Sequence, residues 1–222
     1  AYAGSIDAQH CEAYHCAHLS DGLGFGFCAE SGGFINADNS RAAHHHMAGF
    51  YALTNGAMWC HDSSATDNRH GYMAIHSGVL TCNSINQSTN AYQNFGYGYF
   101  ADNGGHILAN RCLGNENSQG GFFARHYATI DITHAHANHN GGAGYTAINA
   151  TLFGNGAQAR FNQGDGFVIG QAGFLDGEFL MAYGNQGVGF NLNQCQAFMP
   201  RARGWKNSQG RMQKNRSWVA TR

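Results

Sequence analysis

A glycine followed by an aromatic residue, with a small or aliphatic residue two positions further on, recurs through most of the chain. The glycines are Gly26, Gly49, Gly71, Gly98, Gly121, Gly144, Gly166 and Gly189, spaced 23, 22, 27, 23, 23, 22 and 23 residues apart. The aromatic residues are Phe27, Phe50, Tyr72, Tyr99, Phe122, Tyr145, Phe167 and Phe190. The third position holds Ala29, Ala52, Ala74, Ala101, Ala124, Ala147, Ile169 and Leu192, and the ninth holds Ile35, Met58, Leu80, Ile107, Ile130, Phe153, Leu175 and Phe198. A period of this size marks an array whose units bury their apolar faces against one another. Residues 4–8 align with 33–37, so the chain opens inside a unit. Its first residues read as neither a signal peptide nor an initiator Met, and a longer parent chain is expected.

Within a unit the alternation is two, which is the period of a strand. The aromatic and the third-position residue face one side. The ninth residue and a small eleventh (Ala8, Ala37, Cys60, Cys82, Ala109, Ile132) do so again. Composition agrees: 32 Gly, one Pro and 11% charged residues suit neither helices nor collagen, and 43% hydrophobic residues argue against disorder. A leucine-rich repeat is excluded by ten Leu without an LxxLxL pattern. A propeller blade needs roughly 40 residues. What remains is a parallel β-helix of eight to nine coils, about 23 residues each, over residues 1–199. Gly and Asn are expected to supply the positive φ at its corners, and two or three sheets both fit. Residues 200–222 carry seven of the twelve basic residues and are expected to form a basic cap or linker.

The segments GFCAESGGFINADNSRAA, GYFADNGGHILAN and GFFARHYATIDITHAHANHNGGAGY resemble the G-[FY]-x-A…G-x-I-x-A…S-x-A…N repeats of phage and prophage tailspikes and tail fibres. These belong to the pectate-lyase-like β-helix group. The resemblance covers about residues 1–198 and implies a right-handed β-helix. It further implies a homotrimeric virion appendage, assembled in the bacterial cytoplasm, that recognises bacterial surface glycan. Some members carry a glycosidase or lyase site, but none of their catalytic residues transfers to this chain by motif.

Candidate sites follow from the positions that alternate outward. The second position after each glycine gives a stripe through Tyr51, Met73, Phe100, Phe123 and Val168, expected to be covered by a neighbouring copy in a trimer. The tenth and twelfth positions give a polar strip bearing Trp59 and His61, and later Asp131, Asp176 and Glu178. Asp131 and Asp176 fall two coils apart, with Gly154 expected between them as a bare floor, a separation that suits an inverting pair of carboxyls. Unit four is longer by four or five residues within 86–95; Tyr92 and Asn94 there have the chemistry of sugar contacts.

Of the 14 histidines, His134 and His136 form an HxH pair expected on one strand face, a weak metal candidate. Such pairs hold axial iron in some tail fibres, but there the pair is repeated. His44, His45 and His46 read as polar corner residues. The seven Cys read as mostly buried thiols, with Cys60 and Cys82 in contact on adjacent coils. No cofactor is expected. A net charge of −1 argues against nucleic acid, and no apolar run is long enough to insert in a membrane. The leading expectation is a spike or fibre component binding bacterial polysaccharide. The alternatives are a polysaccharide hydrolase or lyase using Asp131, Asp176 and Glu178, and a purely structural shaft.

Overall fold

The computed structural model describes residues 1–16, 24–84, 88–215 and 217–220. Three parallel sheets run side by side along the molecule. The first holds nine strands: Phe25–Glu30, Ala48–Leu53, His70–Ile75, Tyr97–Asp102, Gly120–Arg125, Tyr145–Ile148, Phe167–Gly170, Phe190–Asn193 and Met212–Asn215. The second runs through ten, from Ser5–Asp7 to Trp218–Ala220, and the third through nine, from Glu12–Tyr14 to Arg203–Trp205. The chain visits the sheets in rotation. Each circuit is one coil of a parallel β-solenoid of about eight turns and about 23 residues per turn. Ser5–Asp7 pairs with Phe34–Asn36, in agreement with the partial unit read at the start of the sequence. The residues after Pro200 add strands to all three sheets, so the basic tail is itself a turn of the solenoid.

Side chains one coil apart stack in the interior. Phe27, Phe50, Tyr72, Tyr99, Phe122, Tyr145, Phe167 and Phe190 form a continuous ladder, with ring centroids 4.5–5.1 Å apart and near-parallel planes. Full burial stabilises each such side chain by roughly 1.5–3 kcal/mol, and the stacking adds about 0.5–1.5 kcal/mol. The tyrosine hydroxyls remain satisfied: Tyr72 donates to Ser63 O at 2.8 Å and Tyr145 to Ala135 O at 2.6 Å. The second sheet contributes Ile35, Met58, Leu80, Ile107, Ile130, Leu152 and Leu175, and the third a column of alanines from Ala42 to Ala182 interrupted only by Gly114, all buried.

The recurrence of glycine at the motif position has a steric cause. A Cβ at any of the eight would stand 2.5–3.0 Å from a carbonyl oxygen of the next coil. These glycines therefore serve close approach, and the expectation that Gly and Asn provide the positive φ is corrected. Among the described residues, 28 non-glycine residues have positive φ against six glycines. They fall in columns at the three corners, and His, Arg, Asp, Glu and Phe all occur among them. An isolated left-handed residue costs about 1–2 kcal/mol. Stacking offsets this, because the corner amides bond to the coil above: Arg111 N donates to Thr133 O at 2.8 Å and His134 N to Asn155 O at 2.7 Å.

The first corner, between the first and second sheets, explains a second correction. In most coils it holds two left-handed residues, such as His126 and Tyr127. After Ile148 it holds only Asn149, and after Asn193 only Gln194. Losing one residue shifts the following strand by one, which reverses its faces. Leu152 and Ala197 therefore take the interior places expected for Phe153 and Phe198, and both phenylalanines point out.

Candidate functional site

The second corner, between the second and third sheets, carries a groove. It has a volume of about 640 Å³ and is lined by His61, Asp62, Asn83, Ser84, Asn110, Arg111, Thr133 and His134. Four successive coils supply these residues. With strands about 4.8 Å apart, the groove runs roughly 14 Å along the solenoid. Left-handed φ at Asp62, Arg111 and His134 turns those side chains outward.

A network of hydrogen bonds fixes the groove. His61 N donates to Asp38 Oδ1 at 2.8 Å, and His61 Nδ1 donates to Asn83 O at 2.9 Å. That bond leaves Nε2 as the acceptor of a neutral ring. Asn83 Oδ1 accepts from Asn110 Nδ2 at 3.1 Å, and Asp62 Oδ1 accepts from the hydroxyls of Ser84, at 2.9 Å, and Ser88. Arg111 and His134 are exposed. The groove thus offers amides, a hydroxyl, imidazoles, a carboxylate and a guanidinium, the donors and acceptors that polyhydroxylated ligands use.

The other residues singled out from sequence separate into distinct places. Trp59 is 48% exposed on the outer face of the second sheet, edge-on to Phe34, two residues before His61. Tyr92 lies on the third-sheet strand Asn90–Tyr92, and its hydroxyl donates to Glu116 Oε2 at 2.9 Å, a bond that raises its pKa. The extra residues of that unit fall before Asn90, at the second corner, and 85–87 lie outside the described residues.

Asn94 is no surface contact: it is fully buried, in a column with Asn68, Asn117, Asn140, Asn162, Asn185 and Asn207. Each amide from Asn68 to Asn185 bonds to the next asparagine and to a third-sheet carbonyl, as Asn94 Nδ2 does to Asn117 Oδ1 at 2.9 Å and to Ala65 O at 3.1 Å, and Asn207 ends the column on Ala182 O. Buried amides persist only when paired in this way. His45 heads the column, its Nδ1 accepting from Cys16 N, and burial lowers its pKa.

Asp131 and Asp176 share an outer column two coils apart, but Phe153 stands between them in place of Gly154. Asp131 Oδ1 accepts from Thr133 N and Oγ1 at 2.9 and 2.7 Å, and Glu178 pairs with Arg201 at 3.0 Å. The bare floor inferred between the two carboxylates is therefore absent. His134 lies in the second-corner turn and His136 on the third-sheet strand His136–Asn138, so the pair does not share one strand. Burial lowers the His136 pKa. No group of three metal-ligating side chains occurs among the described residues.

The outward stripe of the first sheet is in register as expected, yet the chain itself covers most of it. Tyr51, Met73 and Phe100 are buried, while Phe123 and Val168 are partly exposed. Phe25 stacks on Tyr51 at 4.6 Å, and His70 stacks on Phe100 at 4.9 Å. Beside them Arg125 donates to Asp102 Oδ2 from Nε and Nη2 at 2.9 and 2.8 Å, and His126 Nδ1 donates to Oδ1 at 2.8 Å. Burial alone would raise the Asp102 pKa, but these bonds outweigh it and lower it. Burial and the nearby Arg69 and Arg125 push the His70 pKa down to about 4. Of the thiols, Cys60, Cys82, Cys112 and Cys195 are buried, with Cys60 and Cys82 sulfurs 3.0 Å apart, whereas Cys11 and Cys16 are exposed.

These features define a parallel β-solenoid repeat protein with a polar corner groove. The chain matches no protein-family model, and no curated protein or solved structure is significantly similar to it.

Proposed function

We propose that this solenoid is part of a virion spike or fibre that binds bacterial surface polysaccharide, with the second-corner groove as the binding site. The carrying observation is the groove itself. It is elongated along the solenoid, spans four coils, and is lined by His61, Asn83, Asn110, Arg111, Thr133 and His134. An extended glycan meets a repeating set of donors and acceptors there, and the exposed Arg111 and His134 suit an acidic or phosphorylated sugar. The tail-fibre resemblance of the repeats supports the attachment role.

The test is binding of the purified chain to bacterial capsular and lipopolysaccharide glycans. Arg111→Ala with His134→Ala is expected to weaken binding about tenfold or more, the weight of a lost charge-assisted hydrogen bond. Binding that ignores both substitutions, or no binding to any such glycan, contradicts the proposal. The same incubations, read for new reducing ends, test hydrolysis: release that drops on Asp176→Asn would favour an enzyme. As a spike segment the chain would act as a homotrimer, and a stable monomer at micromolar concentration in sedimentation equilibrium would contradict that.

A further inference from the structure

The outer face of the second sheet changes character in its last four strands. Thr151–Phe153, Phe174–Asp176, Gln196–Phe198 and Trp218–Ala220 are consecutive neighbours. Their register places Thr151, Phe174, Gln196 and Trp218 in one outer row, and Phe153, Asp176, Phe198 and Ala220 in the other. Each strand contributes one aromatic ring, and the ring changes row at every step. Phe153, Phe174, Phe198 and Trp218 are 38%, 37%, 42% and 63% exposed. The shortened first corners create this pattern, because they turn Phe153 and Phe198 out of the core.

Between the rings, Thr151, Asp176 and Gln196 occupy the alternate positions of the same rows. A hollow of about 490 Å³ lies against the platform, lined by Gly173, Phe174, Gln194, Gln196 and Trp218 among others. Rings thus rise by one strand spacing, about 4.8 Å, at each step. That rise is close to the length of one sugar residue in an extended glycan. An aromatic face packs against the C–H face of a pyranose, while carboxylate, amide and hydroxyl groups bond its hydroxyls. The eight outer positions hold one carboxylate, Asp176, and no Lys or Arg. On the flanking corner Arg201 is paired with Glu178. The charge therefore disfavours a polyanion and suits a neutral chain.

We propose that these four strands form a platform for a neutral, linear polysaccharide lying along the solenoid, separate from the corner groove. The full chain, run in native gels containing hydroxyethyl cellulose, galactomannan or mixed-linkage β-glucan, is expected to be retarded by at least one of them. Alginate serves as the polyanionic comparison. Phe174→Ala and Trp218→Ala are each expected to raise Kd about tenfold, equivalent to about 1.4 kcal/mol. Arg111→Ala is expected to leave the retardation unchanged. Both rings are exposed, so the variants should fold, and circular dichroism checks that they do. No retardation by any of the three neutral polymers overturns the platform. So does retardation that survives the double Phe174→Ala/Trp218→Ala variant. Retardation lost with Arg111→Ala instead would assign neutral glycans to the groove and likewise overturn it.

Discussion

The coil that starts at Gly121 and the coil that starts at Gly144 have the same interior and different corners. In the former, His126 and Tyr127 both adopt left-handed φ between Ala124 and Ile130; in the latter Asn149 alone does so between Ala147 and Leu152. Ile130 and Leu152 nevertheless stack in one buried column, and the next interior alanines, Ala137 and Ala159, are also in register. The missing residue is absorbed entirely at the corner. Its visible effect is on the surface, where Phe153 follows Asp131 in the outer column. Interior packing fixes the register, corners vary in length, and the outer face changes as a result.

The largest test of that contrast exchanges two neighbours. Leu152→Ala is expected to destabilise by about 2–5 kcal/mol, because it empties a buried site. Phe153→Ala should stay within about 0.5 kcal/mol, as surface changes usually do. Urea denaturation of the two variants measures both, and equal losses would break the comparison.

A shortened corner between the third and first sheets gives the next largest effect. From Ala65 to Tyr72 the chain takes one residue fewer than from Ala137 to Tyr145, and His70 lies there, buried against Phe100. Its folded pKa, about 4, is below the usual 6.5. The neutral ring therefore contributes stability above pH 6.5, and this is lost as pH falls from 6.5 towards 4. The loss is at most about 3 kcal/mol. His70→Asn keeps an acceptor for Tyr97 N and should flatten the dependence of Tm on pH across that window. An unchanged slope would place the titration elsewhere.

The smallest effect is expected from adding a residue. A glycine inserted between Asn149 and Ala150 restores a two-residue corner and should shift stability by no more than about 1 kcal/mol, the scale of a backbone change at a compatible site. Leu152 should remain inside. Loss of folding would show that the corner, not the interior, sets the register.

The same contrast explains what was readable from sequence. The aromatic and alanine columns of the first sheet lie directly beside the motif glycine, so counting reached them without crossing a corner. Phe153 and Phe198 lie beyond the first corner, whose length varies from coil to coil, so the spacing from the glycine does not fix which way they face. Counting back from Ala159 at the spacing of Ile130 to Ala137 selects Leu152 instead. The asparagine ladder had a signal as well, since Asn94, Asn117, Asn140 and Asn162 recur at 22 or 23 residues. Asn94 resembled a sugar contact only because an insertion precedes it. The cover over Tyr51, Met73 and Phe100 had no such signal, because Phe25 and His70 enter from positions before the glycine. Nor did the left-handed corners, which accept His, Arg, Glu or Phe where residue preferences favour Gly and Asn. Of the groove, His61 and His134 stood out in the sequence, whereas Arg111 did not, because only the stacking of four coils brings it beside them.

Hydroxyl-radical footprinting read by mass spectrometry compares all the phenylalanines of the native chain in one experiment. Phe153 and Phe198 should be oxidised readily, and Phe50, Phe122, Phe167 and Phe190 should be protected until the protein unfolds. Protection of Phe153 and Phe198 together with the ladder phenylalanines would contradict the register described for these coils, and with it the aromatic platform.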